Sequence, residues 1–338
     1  MTITKDILNR KLVSALHDIF PKNKDIADFL TDLLDLSKES VHRRLRGEVT
    51  FSFDEVVKIS HKLELSIDKL INHNSSTVFF SMQMCKPPKT EDIYIDVLNS
   101  NIQSRDRARK AKNAEIFTVL NRVPFDLTLY HEYLCKFSYY KWVVSRSNAG
   151  MKVDFENFVM PEVIKEKQQE YLDARSLEGA RLNLIIDENI FLYKIREINY
   201  FRKRGLIKDS DIPHLQKDLH SVVEHLQHLT RTGISKGGFD IRIYLSAIDI
   251  EPSYSYSECD GICSLVFWSP AGEVVTTNNH EMCARQKEWI DSLVRYTTLI
   301  TQCNEIQQLE FFQKQYKYIN EMSENTCNKY LAHQTPCF

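Results

Sequence analysis

Four soft side chains late in the chain have types and spacing that suit metal or redox chemistry. Cys259 and Cys263 lie on a predicted loop with three residues between them, and His280 and Cys283 sit at the start of a predicted helix with two between them. A hairpin that folds the first pair onto the second would assemble a thiolate–imidazole site, for zinc or for thiol redox sensing. The spacing is looser than that of a zinc ribbon, and Glu258 and Asp260 would compete for the same position. His225 and His228, three apart on another helix, form a weaker pair with no acidic or thiol partner near in sequence. They and their neighbours His214 and His220 are expected to be solvated. The chain carries no Gly-rich phosphate loop, no nucleophile elbow and no H-E-x-x-H, so neither an enzyme nor a bound cofactor is expected.

The chemistry of base recognition has a better case, in Leu34 to Gly47, LDLSKESVHRRLRG. The Ser37 hydroxyl is placed to accept from an early backbone N–H and so to start a helix near Lys38. Val41 and Leu45, four apart, would stack on its buried face, which leaves Lys38, Glu39, Ser40, His42, Arg43 and Arg46 on a mostly basic outer surface. Upstream, Ile26, Ala27, Phe29, Leu30, Leu33 and Leu34 recur at helical spacing, and Asp35 and Leu36 leave room only for a short turn. Two helices joined in this way form a helix-turn-helix. Downstream, Ser52 and Glu55 frame a capping box before Val56, Val57, Ile59 and Leu63, and Ser66 begins a last short helix closed by Leu70 and Ile71.

The run SVHRRLRG followed by TFSFDEVVKISHKLELSIDKLI resembles the Cro/C1-repressor (XRE) family of helix-turn-helix domains over roughly residues 22 to 72. In that family the residues after the turn face bases. The resemblance therefore implies that Lys38, Glu39, Ser40 and Arg43 meet base edges, with His42 and Arg46 nearer the backbone of double-stranded DNA; Ser37, at the helix start, is counted among the DNA-binding residues. Two departures stand out: Asp35 occupies a turn position where the family usually has Gly, and no Gln opens the second helix. The layout of an XRE-like head and a long body without a catalytic motif is similar to bacterial two-domain transcription regulators. It implies a homodimer that responds to an unidentified small-molecule effector.

Charge supports a local interface only. The whole chain has 44 basic against 46 acidic side chains and offers polyanions no general attraction. Within the head, Asp25, Asp28, Asp32 and Asp35 lie on the first helix of the motif, and Lys38, Arg43, Arg44 and Arg46 on the second. That dipolar arrangement would orient the domain on phosphate. No apolar run approaches the roughly twenty residues that span a bilayer. The N-terminus lacks a signal peptide's apolar region, and eight cysteines without paired spacing read as reduced thiols, so a cytoplasmic location without membrane contact is expected.

The expected fold class is α+β: an all-α helix-turn-helix domain over residues 1–73, a mixed body over 77–322 with a small antiparallel sheet and long helices, and a flexible tail over 323–338. In the body, Arg105, Arg107, Arg109, Lys110 and Lys112 read as a solvated helical face, and Tyr139, Tyr140 and Trp142 as core. Asp187 caps a helix through Ile190, Leu192, Ile195, Ile198 and Phe201. A second, with apolar Leu215, Leu219, Val222, Val223, Leu226 and Leu229, is expected to pair antiparallel with it. Phe239–Leu245, Ile262–Trp268 and Glu273–Thr277 form a predicted meander. Helical spacing then resumes at Asn279 and continues past Cys303, either as a coiled-coil seam or as a helix lying across the meander. The functional expectation is a dimeric DNA-binding regulator that reads DNA with residues 38–46. A metal or redox sensor on Cys259, Cys263, His280 and Cys283, or an enzyme with a DNA-binding appendage, are the alternatives.

Overall fold

The helical spacings of the first sixty residues are realised as α1 (Lys5–Ile19), α2 (Asn23–Leu34), α3 (Lys38–Leu45) and α4 (Phe53–Leu63). They come from a computed structural model that describes residues 5–20, 22–63, 65–67, 78–82, 90–146, 153–173, 180–235, 238–268 and 274–324. Most of the short helix expected from Ser66 and all of the 325–338 segment lie outside these residues. The chain divides into two units, Met1–Phe79 and Phe80–Phe338. In the first, Leu12 and Leu16 of α1 meet Ile26, Ala27, Leu30 and Leu34 of α2, Val41 of α3, and Val56 and Ile59 of α4 in one apolar core. Val57, expected in the same stripe, is exposed, because successive helical residues turn by about 100° and Val56 already occupies the core side.

The second unit is built on a sheet larger than the small antiparallel one expected. Among the described residues it has eight strands: β1 (Ser81–Met82), β2 (Ala114–Leu120), β3 (Ala180–Asp187), β4 (Asp240–Ser246), β5 (Tyr254–Cys259), β6 (Ile262–Trp268), β7 (Val274–Thr277) and β8 (Thr297–Leu299), in the spatial order β1-β7-β6-β5-β2-β3-β4-β8. Strands β2, β3 and β4 run parallel, with Ile116 opposite Leu182 and Leu184 opposite Ile243. The meander is β5–β6–β7, and β4, which the alternation of residues 239–245 assigned to it, belongs to the parallel part. Both faces are covered, as parallel strands require. Leu184, Ile186, Ile241, Ile243 and Leu245 join one core, and Val119, Ile185 and Leu265 join another on the opposite side.

Helices α5 (Thr90–Lys110), α6 (Phe125–Thr128), α7 (Glu132–Arg146) and α8 (Glu162–Asp173) lie around the β2–β3 crossover, and α9 (Ile190–Lys203) and α10 (Ile212–Thr232) fill the β3–β4 crossover. Phe137, Tyr139 and Tyr140 are fully buried and Trp142 nearly so, as core. The apolar stripe of α10 is buried throughout. Helices α9 and α10 each pack on α12 (Glu305–Asn320), which takes up the apolar faces expected to pair them. The long helical pattern after Asn279 is broken into α11 (His280–Val294) and α12 by β8, which pairs with the edge of β4. Gln302 and Asn304 take positive φ between them, so no single helix forms a seam, and α11 lies against the meander strands β5 and β6. Among the described residues, no helix is long and apolar enough to cross a membrane.

Candidate nucleic-acid interface

Asp35 solves the turn without glycine. Its backbone sits in the left-handed region, φ 53 and ψ 49, and its N–H donates to the Thr31 carbonyl to close α2. Asp adopts this conformation more readily than most non-glycine residues, since its short polar side chain bonds locally. Ser37 then caps α3, its Oγ accepting from the Ser40 N–H at 3.3 Å. Val41 is the fully buried residue of α3, and Leu45 is half-buried against the same core. With 100° per residue, Glu39 and Arg43 project on the side opposite Val41 and Leu45. Lys38, Glu39, Arg43 and Arg46 are exposed, and Ser40 and His42 are half-buried. Ser37 through Arg46 thus form one cap and one helix, with Arg46 as its C-terminal cap.

Each of these cations is paired. Lys38 Nζ reaches Asp28 Oδ1 at 2.7 Å, Arg43 Nε reaches Glu48 at 3.4 Å, and Arg46 spans Glu48 at 2.6 Å and Glu39 at 3.3 Å. The hydrogen bond to Asp28 raises the Lys38 pKa, and the same bond lowers that of Asp28. The bond with Arg46 holds Glu48 below the usual carboxylate range. These are solvent-exposed pairs, each of small net worth and open to exchange.

Arg44 differs from them. Its guanidinium forms a two-pronged pair with Glu55, Nε to Oε2 at 3.1 Å and Nη2 to Oε1 at 2.9 Å, and both side chains are only 16% exposed. Partial burial opposes ionisation of Glu55, but hydrogen bonds from Arg44 and from the Ser52 backbone outweigh it and lower its pKa. Glu55 also completes the capping box, accepting from Ser52 N–H at 2.8 Å while Ser52 Oγ accepts from Glu55 N–H at 3.2 Å. One carboxylate therefore starts α4 and anchors α3 to it. A second anchor, with no sequence signature beyond its residue type, is the buried Asn9 of α1. Its amide donates to the Arg44 carbonyl at 3.3 Å and accepts from Phe51 N–H at 3.0 Å.

The four soft ligands do not come together. Cys263 pairs with Glu258 across the β5–β6 hairpin and Cys259 pairs with Ile262, so the two thiols lie on opposite faces of the sheet. Cys259 packs with Ala108, Ala114 and Ala180, whereas Cys263, His280 and Cys283 border a concavity under α11. Burial and contact with Cys263 push the Cys283 thiol up to about 12, far from the thiolate that a metal or an oxidant needs. Among the described residues, no three His, Cys, Asp or Glu side chains are arranged to hold a metal ion. Nor are the histidines of α10 simply solvated: His214 stacks on Tyr133 at 4.4 Å, His220 on Tyr316, and His225 meets Tyr130 edge-on. In the basic stretch of α5, Arg105 is turned inward, paired with Asp126 and lying 4.1 Å over the Tyr171 ring.

Residues 5–121 match the family model of the BetR domain, a helix-turn-helix type of DNA-binding domain. The match covers about a third of the chain and runs from α1 through the first unit to the residue after β2. The chain is thus similar to helix-turn-helix regulators in the region where α2 and α3 adopt that geometry. No curated protein matches it.

Proposed function

We propose that this protein is a sequence-specific transcription regulator that acts by binding DNA, not by catalysis. In this reading α3 enters the major groove in the manner of the Cro/C1-repressor (XRE) type, as part of a cytoplasmic homodimer regulated through the larger unit. The observation that carries the reading is the presentation of α3: Glu39 and Arg43 project outward on a helix capped by Ser37 and fixed from behind by Arg44 and Glu55.

On this reading Arg43 meets a guanine edge, where a two-pronged contact discriminates by about 1–3 kcal/mol. Glu39 is placed to accept from a cytosine amine, and Ser40 contributes a hydroxyl beside them. Lys38 joins them at the base edges, His42 and Arg46 take phosphates, and Ser37 holds the helix start. Binding exchanges the exposed pairs with Asp28, Glu39 and Glu48 for contacts to base edges and phosphates, and the phosphate contacts make affinity fall with salt as counterions are released. A dimer would place two copies of α3 about one DNA turn apart and read a palindrome.

The test is selection from a random DNA pool at two salt concentrations with the wild type and a S40A/R43A variant. A palindromic motif found by the wild type and lost by the variant is the expected result. Enrichment of nothing, or salt-sensitive binding alike in both proteins, overturns the reading.

A further inference from the structure

The larger unit contains a group of cations that its own carboxylates do not balance. Lys141 of α7 and Lys194 of α9 share one partner, Glu197, with Nζ–Oε1 at 2.6 Å and Nζ–Oε2 at 2.9 Å. Arg122, two residues beyond β2, acts electrostatically on both Glu197 and Lys141, and has no ion pair or hydrogen bond among the described residues. Lys141 and Lys194 thus flank one carboxylate, and with Arg122 acting on the same group the set carries a surplus of two positive charges. Burial, then repulsion from Lys194, lowers the Lys141 pKa despite its salt bridge. Arg122 is exposed, and desolvation lowers its pKa as well.

The position of this cluster is informative. The chain steps from β2 to β3 to β4 on one side and then returns to place β5 on the other side of β2. The carboxyl end of β2 therefore lies where the parallel part of the sheet meets its antiparallel part, beside the start of β5. There Asn121 N–H donates to Ser253 Oγ at 3.2 Å, and Ser253 Oγ donates back to Asn121 Oδ1 at 2.7 Å. Arg122 follows immediately, and Lys194 and Glu197 lie in the first two turns of the helix after β3.

We propose that Arg122, Lys141 and Lys194 form a binding site for the phosphate group of a small molecule, with Glu197 holding the two lysines in place. A phosphate monoester carries about −1.5 to −2 charge at neutral pH, which matches the surplus, and its oxygens suit both a guanidinium fork and point-charge ammonium groups. The site does not depend on the DNA-binding reading, because its test contains no DNA.

The experiment is equilibrium dialysis of the full-length protein against labelled inorganic phosphate at constant ionic strength in chloride, with R122Q and E197Q beside the wild type and circular dichroism to check their folding. Saturable one-to-one binding is expected, at least ten-fold weaker in R122Q and tighter in E197Q, where the surplus grows. Glycerol 3-phosphate in the same assay separates an ester from the free ion, and saturable binding of either supports the site. In the wild type alone, phosphate is expected to slow acylation of Lys141, read by mass spectrometry. No saturable binding, equal binding by a folded R122Q, or unprotected Lys141 overturns the proposal.

Discussion

Two sets of cations in this molecule are neutralised in opposite ways. Around α3, Lys38, Arg43, Arg44 and Arg46 face Asp28, Glu39, Glu48 and Glu55, charge for charge. In the larger unit, Lys141 and Lys194 share Glu197, and Arg122, just beyond β2, has no carboxylate of its own among the described residues. Exposed, balanced pairs are labile and can be traded for an extended polyanion one contact at a time. A half-buried, unbalanced set is electrostatically costly until a discrete anion completes it. The contrast separates residues that read from residues that hold, and Arg44 shows that the division runs through a single helix.

The largest effect is expected where a pair resembles the second kind but belongs to the first region. R44A leaves Glu55 half-buried without its partner and is expected to destabilise the first unit by about 2–4 kcal/mol in urea denaturation. Any loss of DNA binding should then follow the loss of folded protein.

Acid should expose the second set. Burial resists the charge of Glu197, but Lys194 and Lys141 overcome this and hold its pKa at about 2, below the ordinary 4.5. A depressed carboxylate stabilises the fold above its unfolded pKa and ceases to do so as pH falls through the folded one. The stability difference between wild type and E197Q should therefore be full above about pH 4.5 and vanish towards pH 2, spanning up to about 3 kcal/mol. A difference that does not change with pH would mean that Glu197 is not held by its lysines.

A smaller and more selective effect is expected for R43A. Its stability should stay within about 0.5 kcal/mol of wild type, while discrimination at one base pair falls by about 1–3 kcal/mol, measured by competition binding with single-base operator variants. Smallest of all, E48Q frees Arg43 and Arg46 and should tighten DNA binding by roughly two- to five-fold at low salt, with the gain fading at high salt.

Most local signals in the sequence were read correctly, although Asp187, expected to cap α9, ends β3 and leaves Asn189 at the cap position; non-local signals were not. The Ser37 cap, the Ser52–Glu55 capping box and the buried stripe of α2 are properties of a few adjacent residues, and each forms as the spacing predicts. Strand β3, Ala180–Asp187, went unread because it is buried on both faces at its C-terminal half, which erases the alternation that marks a strand. The break between α11 and α12 depends on β8 finding the edge of β4, a contact that no window around residue 297 contains. The Cys/His set failed by a register of one, since alternation across a hairpin sends Cys259 and Cys263 to opposite faces. Within α3, composition could not tell Arg44 from Arg43. The distinction depends on Glu55, eleven residues further on.

Asn9 sets a limit on how the first unit can be dissected. Its bonds to Arg44 and Phe51 span 35 and 42 residues of sequence, so the shortest transplantable module is not the two helices of the motif. A graft that begins at α2 would carry every residue proposed to face DNA, yet it would leave the Phe51 amide without its acceptor and the last turn of α3 without its tether. Swapping specificity between proteins of this kind should therefore be done by exchanging the outward side chains of α3 on an intact α1–α4 frame.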